Sequence, residues 1–431
     1  MLLGYVARAV ALQQSGEFVL FNRGRLLNAE FMALAVLLLC AGATLGAGTA
    51  SAQSLPVISG STQTTPAVPC PPDAAGSVRG WGYGGQGALG NGSTLDSPSA
   101  VRAIGLRKVV TIASGGNNGY AVLANHTVAS WGVGYQGQLG NGALKSRTTP
   151  VKIPGLTEVT NVAAGGFGAY ALRASGEVWA WGTGDDGELG NGVTDSSPVP
   201  VQVTGLTEVR SIASASFTGY AVRSDGTAWA WGNDTWGALG DGGDFDTNSS
   251  VPVRVAGLTE VAGIAGGGYN GFARLTDGTV RSWGMGYSGS LGNGGTDYSP
   301  VPVQVTGLTS ATAIDAGEET GYALLADGTV WSWGSGMFGA LGNGGESDSA
   351  VPVRLSGLSS VTAIAAADYG GYALRTDGTV WAWGWGIRGR LGNIDPGDAL
   401  VPVQVPGLTG ITAIAAGGIT GYALTGAPAA G

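Results

Sequence analysis

Residues 301–344 read VPVQVTGLTSATAIDAGEETGYALLADGTVWSWGSGMFGALGNG. Four short runs in it have strand character: 301–305 (VPVQV), 311–316 (ATAIDA), 322–325 (YALL) and 330–333 (VWSW). They are rich in Val, Ile, Tyr and Trp and are separated by turn residues. The pair Asp327-Gly328 before the last run is a hairpin signal, because both residue types tolerate positive φ. Trp-Gly recurs at Trp81, Trp131, Trp181, Trp231, Trp283, Trp333 and Trp383, at spacings of 50, 50, 50, 52, 50 and 50 residues. Leu-Gly-Asn-Gly follows eight residues after each Trp, with Asp241 replacing Asn in the fourth copy and Ile394 replacing the last Gly in the seventh. Four strands per unit of this length, repeated seven times, predict an all-β, seven-bladed β-propeller spanning residues 76–426.

The ends of the repeat array predict how the ring closes. Residues 77–81 (SVRGW) read as a lone fourth strand, while the last copy has runs at 401–405, 411–416 and 422–424 and no Val-Trp-x-Trp run after them. The two partial units add up to one blade, which leaves no sheet edge unpaired at the seam. A solenoid would need atypical caps at both ends instead.

Composition agrees with this class. Gly makes up 81 of 431 residues and charged residues only 11%, which disfavours helices throughout. Net charge is −9, and the 20 Lys and Arg are scattered along the sequence, so no footprint for nucleic acid is expected. The acidic balance reads as a soluble surface. The two cysteines, Cys40 and Cys70, supply no disulfide framework.

Residues 31–43 (FMALAVLLLCAGA) form an apolar stretch followed by small residues up to Ala50-Ser51-Ala52, with Arg23 and Arg25 upstream. This predicts a signal peptide over 1–52, cleaved before Gln53, and hence a secreted or periplasmic protein with no membrane attachment after cleavage. An uncleaved anchor, and Met32 as the true start, are the alternatives. A lipoprotein signal at Cys40 is disfavoured by Leu39. Residues 53–75, rich in Pro, Ser and Thr, read as a linker.

The repeat resembles the regulator of chromosome condensation repeat family, whose unit reads roughly Ala-Ala-Gly, an apolar strand, Asp-Gly-x-Val-x-x-Trp-Gly and then Gly-x-Leu-Gly. The resemblance implies a propeller with one blade shared between the chain ends, of a secreted bacterial, protein-binding and inhibitor-like type. One departure is that the column where the family commonly carries His holds Asn118, Gly168, Thr218, Asn270, Thr320, Gly370 and Thr420. Guanine-nucleotide exchange is the alternative that the resemblance offers, and a carbohydrate-active or other propeller enzyme is a further one.

The chemistry-bearing residues favour a binder. The single histidine, His126, occupies the place of the Gly in the Asp-Gly turns. Zinc sites and Ser-His-Asp triads of the common kinds are thereby excluded, no acid pair stands out, and no catalytic residue, enzyme activity or cofactor is expected. Asp244, Asp246 and Asn248 alternate like calcium ligands, but Ser249 stands where a calcium loop has Gly and Val255 where it has Glu. They read better as a solvated loop.

Antiparallel order puts the long loops and the short turns before each Gly-Tyr-Ala on one face, and the Asp-Gly and Gly-Leu turns on the other. On the first face one column reads Asn117, Phe167, Phe217, Tyr269, Glu319, Tyr369 and Ile419, and the loops add Tyr135, Trp236, Tyr287, Phe338 and Trp385. Aromatics on rigid loops are typical interface anchors. The predicted binding residues are Phe167, Phe217, Trp236, Tyr269, Tyr287, Phe338, Tyr369 and Trp385, for a protein partner of a monomeric propeller. The outer tryptophans Trp179, Trp229, Trp331 and Trp381 are expected to pack between blades.

Overall fold

The computed structural model describes residues 76–426 apart from Phe245. The expected signal peptide, the linker, Cys40 and Cys70 lie outside the described residues. Those described belong to one unit of the chain, Cys70–Gly431, and form seven antiparallel four-stranded sheets. In the blade Ala311–Ala316, Thr320–Leu325, Val330–Gly334 and Ser349–Arg354, the first strand faces the axis and the last faces solvent. The blade boundary therefore differs from the sequence reading: the Val-Pro-Val run is the fourth, outer strand and Val-Trp-x-Trp is the third.

That shift changes how the seam is shared. Strand Val78–Gly82 pairs with Thr420–Thr425, placing Gly80 opposite Tyr422, so the first strand does pair with the last. Ser97–Arg102 then completes the same sheet, which takes two strands from each end of the chain rather than one and three. Ser77 and Thr425 link their hydroxyls at 2.7 Å beside the seam.

The blades are cemented by the two residues that define the repeat. All seven Trp-Gly tryptophans are no more than 1% exposed. Each indole N–H donates to a backbone carbonyl of the preceding blade, as in Trp231 to Glu188 and Trp283 to Ala238, both at 2.9 Å. In six of the seven blades the tyrosine of the preceding blade donates to the same oxygen, Tyr220 reaching Ala238 at 2.8 Å. Both rings also meet edge to face, 5.8 Å apart for Tyr220 and Trp283. Six of the seven copies carry glycine before this aromatic, with Ala169 in the other, and at Gly271 there is no room for more: a Cβ would lie 2.2 Å from the Trp283 ring.

The outer strands solve a different problem. Their free edges could pair with another chain, but each carries proline, for example Pro252, Pro302 and Pro352, which removes a donor. His126 sits in its turn at φ 60°, in the left-handed region that Gly takes in the other copies. Among the described residues no helix is long and apolar enough to cross a membrane.

Candidate binding face

The long loops and the short first turns are locked together on one face. After each Trp-Gly the next N–H donates to the carbonyl of the aromatic column: Asn233 to Phe217 at 3.0 Å, Met285 to Tyr269 at 3.1 Å and Trp385 to Tyr369 at 2.9 Å. Only glycine fits between them, since Gly284 has φ +98° and a Cβ there would lie 2.1 Å from the Tyr269 oxygen. Each loop then leans on the outer strand of the next blade; Gly242 N–H donates to Pro300 O at 3.0 Å. The face is thus a rigid set of loops on a rigid scaffold.

The eight aromatics fall into three groups. Phe167, Phe217 and Tyr269, from three successive blades, form a half-buried stack with centroid distances of 4.9 and 6.1 Å. Trp236 meets Tyr287 edge-on at 5.3 Å, and Tyr287 remains 43% exposed. Phe338 lies flat on Trp385 at 5.0 Å and edge-on to Tyr369 at 5.7 Å. Apart from Tyr287 all are half-buried: they neither vanish into the core nor stand free. Glu319 interrupts the column between Tyr269 and Tyr369.

Two members escaped the sequence reading. Tyr298, 46% exposed, joins Trp236 at 6.0 Å, and Tyr83 lies under the Arg388 guanidinium at 5.1 Å. Tyr298 occupies a column that holds Asp96, Ser196 or Asp348 in other copies, so nothing periodic marks it. Tyr135 stands apart at 58% exposure. The outer tryptophans are half-buried; Trp179 lies 4.4 Å from the Arg173 guanidinium and packs on the neighbouring core.

Several carboxylates stand around the aromatics. Burial, with Asp186 and Asp185 nearby, pushes Glu188 up to about 7 against the backbone N–H bonds that favour its charged form. Burial likewise raises Asp234 to about 6, and burial together with Asp368 raises Glu318 to about 7. A small cavity of about 10 Å³ lies beneath the Phe167–Phe217 pair, lined by Glu188, Thr183 and Ser216. Of the calcium candidates, Asn248 accepts the Asp234 N–H and donates to Asp186, both at 2.9 Å, while Asn233 donates to the other Asp186 oxygen at 3.0 Å. Asn248 is therefore part of a strap between two blades, with Asp244 and Asp246 in the loop before it. Among the described residues no three or more His, Cys, Asp or Glu come together as a metal site.

The regulator of chromosome condensation (RCC1) repeat matches residues 75–122, 125–172, 175–222, 225–273, 277–324, 327–374 and 377–424. The chain belongs to this family. A second form of the repeat matches residues 159–188. Among solved structures, Prp20p from Saccharomyces cerevisiae is similar at a TM-score of 0.72 with 22% identity, over 83% of this chain and 93% of that one. Human WBSCR16 is similar at 0.73 with 23% identity, over 82% and 99%. At these identities the likeness shows the shared propeller fold. No curated protein matches the sequence.

Proposed function

We propose that this repeat-family chain is a non-enzymatic protein-binding propeller, exported by its apolar leader, that docks its partner on the loop face. The carrying observation is the set of three aromatic groups, half-buried on loops whose backbones are tied to the blades. Such rings offer apolar contact at low entropic cost and are the usual centres of interface energy. Variation between copies supports the same face: on the other side the Gly-Leu turns are the same in all seven copies and four of the hairpin turns are Asp-Gly, whereas the aromatic column and the loops differ from blade to blade. Yeast Prp20p is described as binding Gsp1p and histones, so a propeller of this fold can serve as a protein-binding surface. For the present chain the secreted, inhibitor-like type named by the sequence resemblance is the reading that the leader favours.

The test is capture from culture supernatant and cell envelope with the tagged chain as bait, followed by titration of the captured protein. Phe217→Ala, Trp236→Ala and Tyr269→Ala should each weaken binding by roughly 2 kcal/mol or more while the melting temperature stays near the parent's. Normal binding by all three variants overturns the assignment of the face.

A further inference from the structure

The charges of the propeller are sorted by face. The long loops (83–96, 133–146, 183–196, 233–248, 285–298, 335–348 and 385–398) and the first turns together carry 17 of the 26 carboxylates in residues 76–426. They carry three cations, Lys145, Arg388 and Arg390. The rest of the described chain holds the other 9 carboxylates and 14 cations, so the net charge of −9 is a loop face of −14 opposed by +5 elsewhere. The cations look scattered in sequence, but in the fold they are not.

Three of these carboxylates, Glu318, Glu319 and Asp368, lie on the first turns at the axial mouth of this face, where they are poorly compensated. Glu318 and Asp368 occupy the same position on adjacent blades, where the Glu318 N–H donates to the Asp368 carbonyl at 3.3 Å. Glu318 receives the Ser216 hydroxyl at 3.3 Å, and burial and mutual repulsion hold its carboxyl well above the usual range. Arg390, 1% exposed, acts on Asp368 and Tyr369, but both terminal guanidinium nitrogens have no hydrogen-bond partner among the described residues. The mouth therefore presents under-neutralised carboxylates, backed by a buried guanidinium, beside the Phe338, Tyr369 and Trp385 group.

We infer that the loop face takes a cationic protein segment, with Lys or Arg side chains meeting Glu318 and Asp368 and apolar side chains meeting the aromatic groups. Charge complementarity of this kind steers encounter and rejects acidic partners. This inference rests on the protein-binding reading and narrows it to one class of partner.

The experiment uses the full chain and two labelled decapeptides, one alternating Arg and Leu and one alternating Glu and Leu, in fluorescence-anisotropy titrations at low and high NaCl. The Arg–Leu peptide should bind, lose about tenfold in affinity on raising salt from 25 to 300 mM, and bind Glu318→Gln/Asp368→Asn at least about fivefold more weakly. The Glu–Leu peptide should not bind. The control Asp277→Asn/Asp327→Asn removes the same charge from the opposite face and should bind as the parent does. Equal weakening by both double variants shows attraction to net charge alone and overturns the inference, as do equal binding of both peptides and indifference to salt. If the Phe217, Trp236 and Tyr269 variants lose a captured partner while the mouth variant keeps it, protein binding stands and the cationic class falls.

Discussion

The indole N–H of Trp81 donates to the carbonyl of Arg390 at 2.9 Å, a bond between residues 309 apart in sequence. Every other blade junction has the same bond between residues 43 or 45 apart, for example Trp131 to Ala88 and Trp283 to Ala238. Trp81 is thus the repeat's ordinary cement used once to close the ring. Trp81→Ala should cost about 3–5 kcal/mol in urea unfolding, through the lost burial, the cavity and the orphaned carbonyl. Trp381→Ala removes a half-buried ring that rests near Arg375 and should cost about 1 kcal/mol. Similar costs for the two variants would mean the seam is not closed through Trp81.

Phe272 stands where the other blades have the tyrosine that shares the interblade carbonyl. The carbonyl in question, that of Ser290, receives the Trp333 N–H at 3.0 Å and, among the described residues, lacks the tyrosine hydroxyl seen at Ala238 and Ala340. Phe272→Tyr places a hydroxyl there with no change of ring position. Thermal and urea unfolding should show a gain of about 0.5–1 kcal/mol. A loss instead would show that the site of this blade is too tight for the oxygen.

The blade count and the closing strand pair were legible in the sequence because each repeat contains a residue with one possible place: Trp must be buried, and the Gly beside it must take positive φ. The blade boundary was not, since an unbroken cycle of four strands has no marked start; only the short turn lengths and the Pro-bearing edge show which strand is outermost. The aromatic column was readable from antiparallel order. Charge sorting was hidden because Arg173, Arg223 and Arg375 sit one strand away in sequence from acidic loops that the fold carries to the opposite face. Arg390 was hidden because its column holds Ala, Gln, Glu and Ser in other copies, so its type gave no hint of burial.

Glu188 makes stability depend on pH in a defined direction. Its folded value of about 7 lies above the ordinary 4.5, so between those values the folded chain holds a proton that the unfolded chain has released. The stability it contributes is full below about 4.5 and is lost as pH rises through about 7. Glu188→Gln keeps the acceptor for the Asp186 N–H and removes the charge. Urea unfolding should show the variant more stable than the parent by about 2 kcal/mol at pH 8 and unchanged at pH 4. Equal effects at the two pH values would show that the carboxyl is not kept protonated by its burial.

Trp236 occupies a left-handed position, φ 65°, in the turn Thr235–Gly237. The equivalent turns use Gln86, Ser288 and Arg388 at φ 55–58°, so the fold asks for no aromatic here and the strain is borne by whichever side chain is present. A bulky residue in this region costs about 1–2 kcal/mol, which glycine does not. Against that, Trp236 contributes an edge contact with Tyr287 at 5.3 Å and a tilted one with Tyr298 at 6.0 Å while staying partly open to solvent. The two effects nearly cancel for the fold but not for an interface. Trp236→Gly should leave stability within about 1 kcal/mol of the parent in urea unfolding and lower affinity for the captured partner by about tenfold or more. Phe338→Gly, at φ 58° but packed flat on Trp385, should cost more stability than Trp236→Gly for a similar loss of binding. If Trp236→Gly unfolds the blade, or if it binds as well as the parent, the indole is there for packing and the strained position is not part of a binding surface.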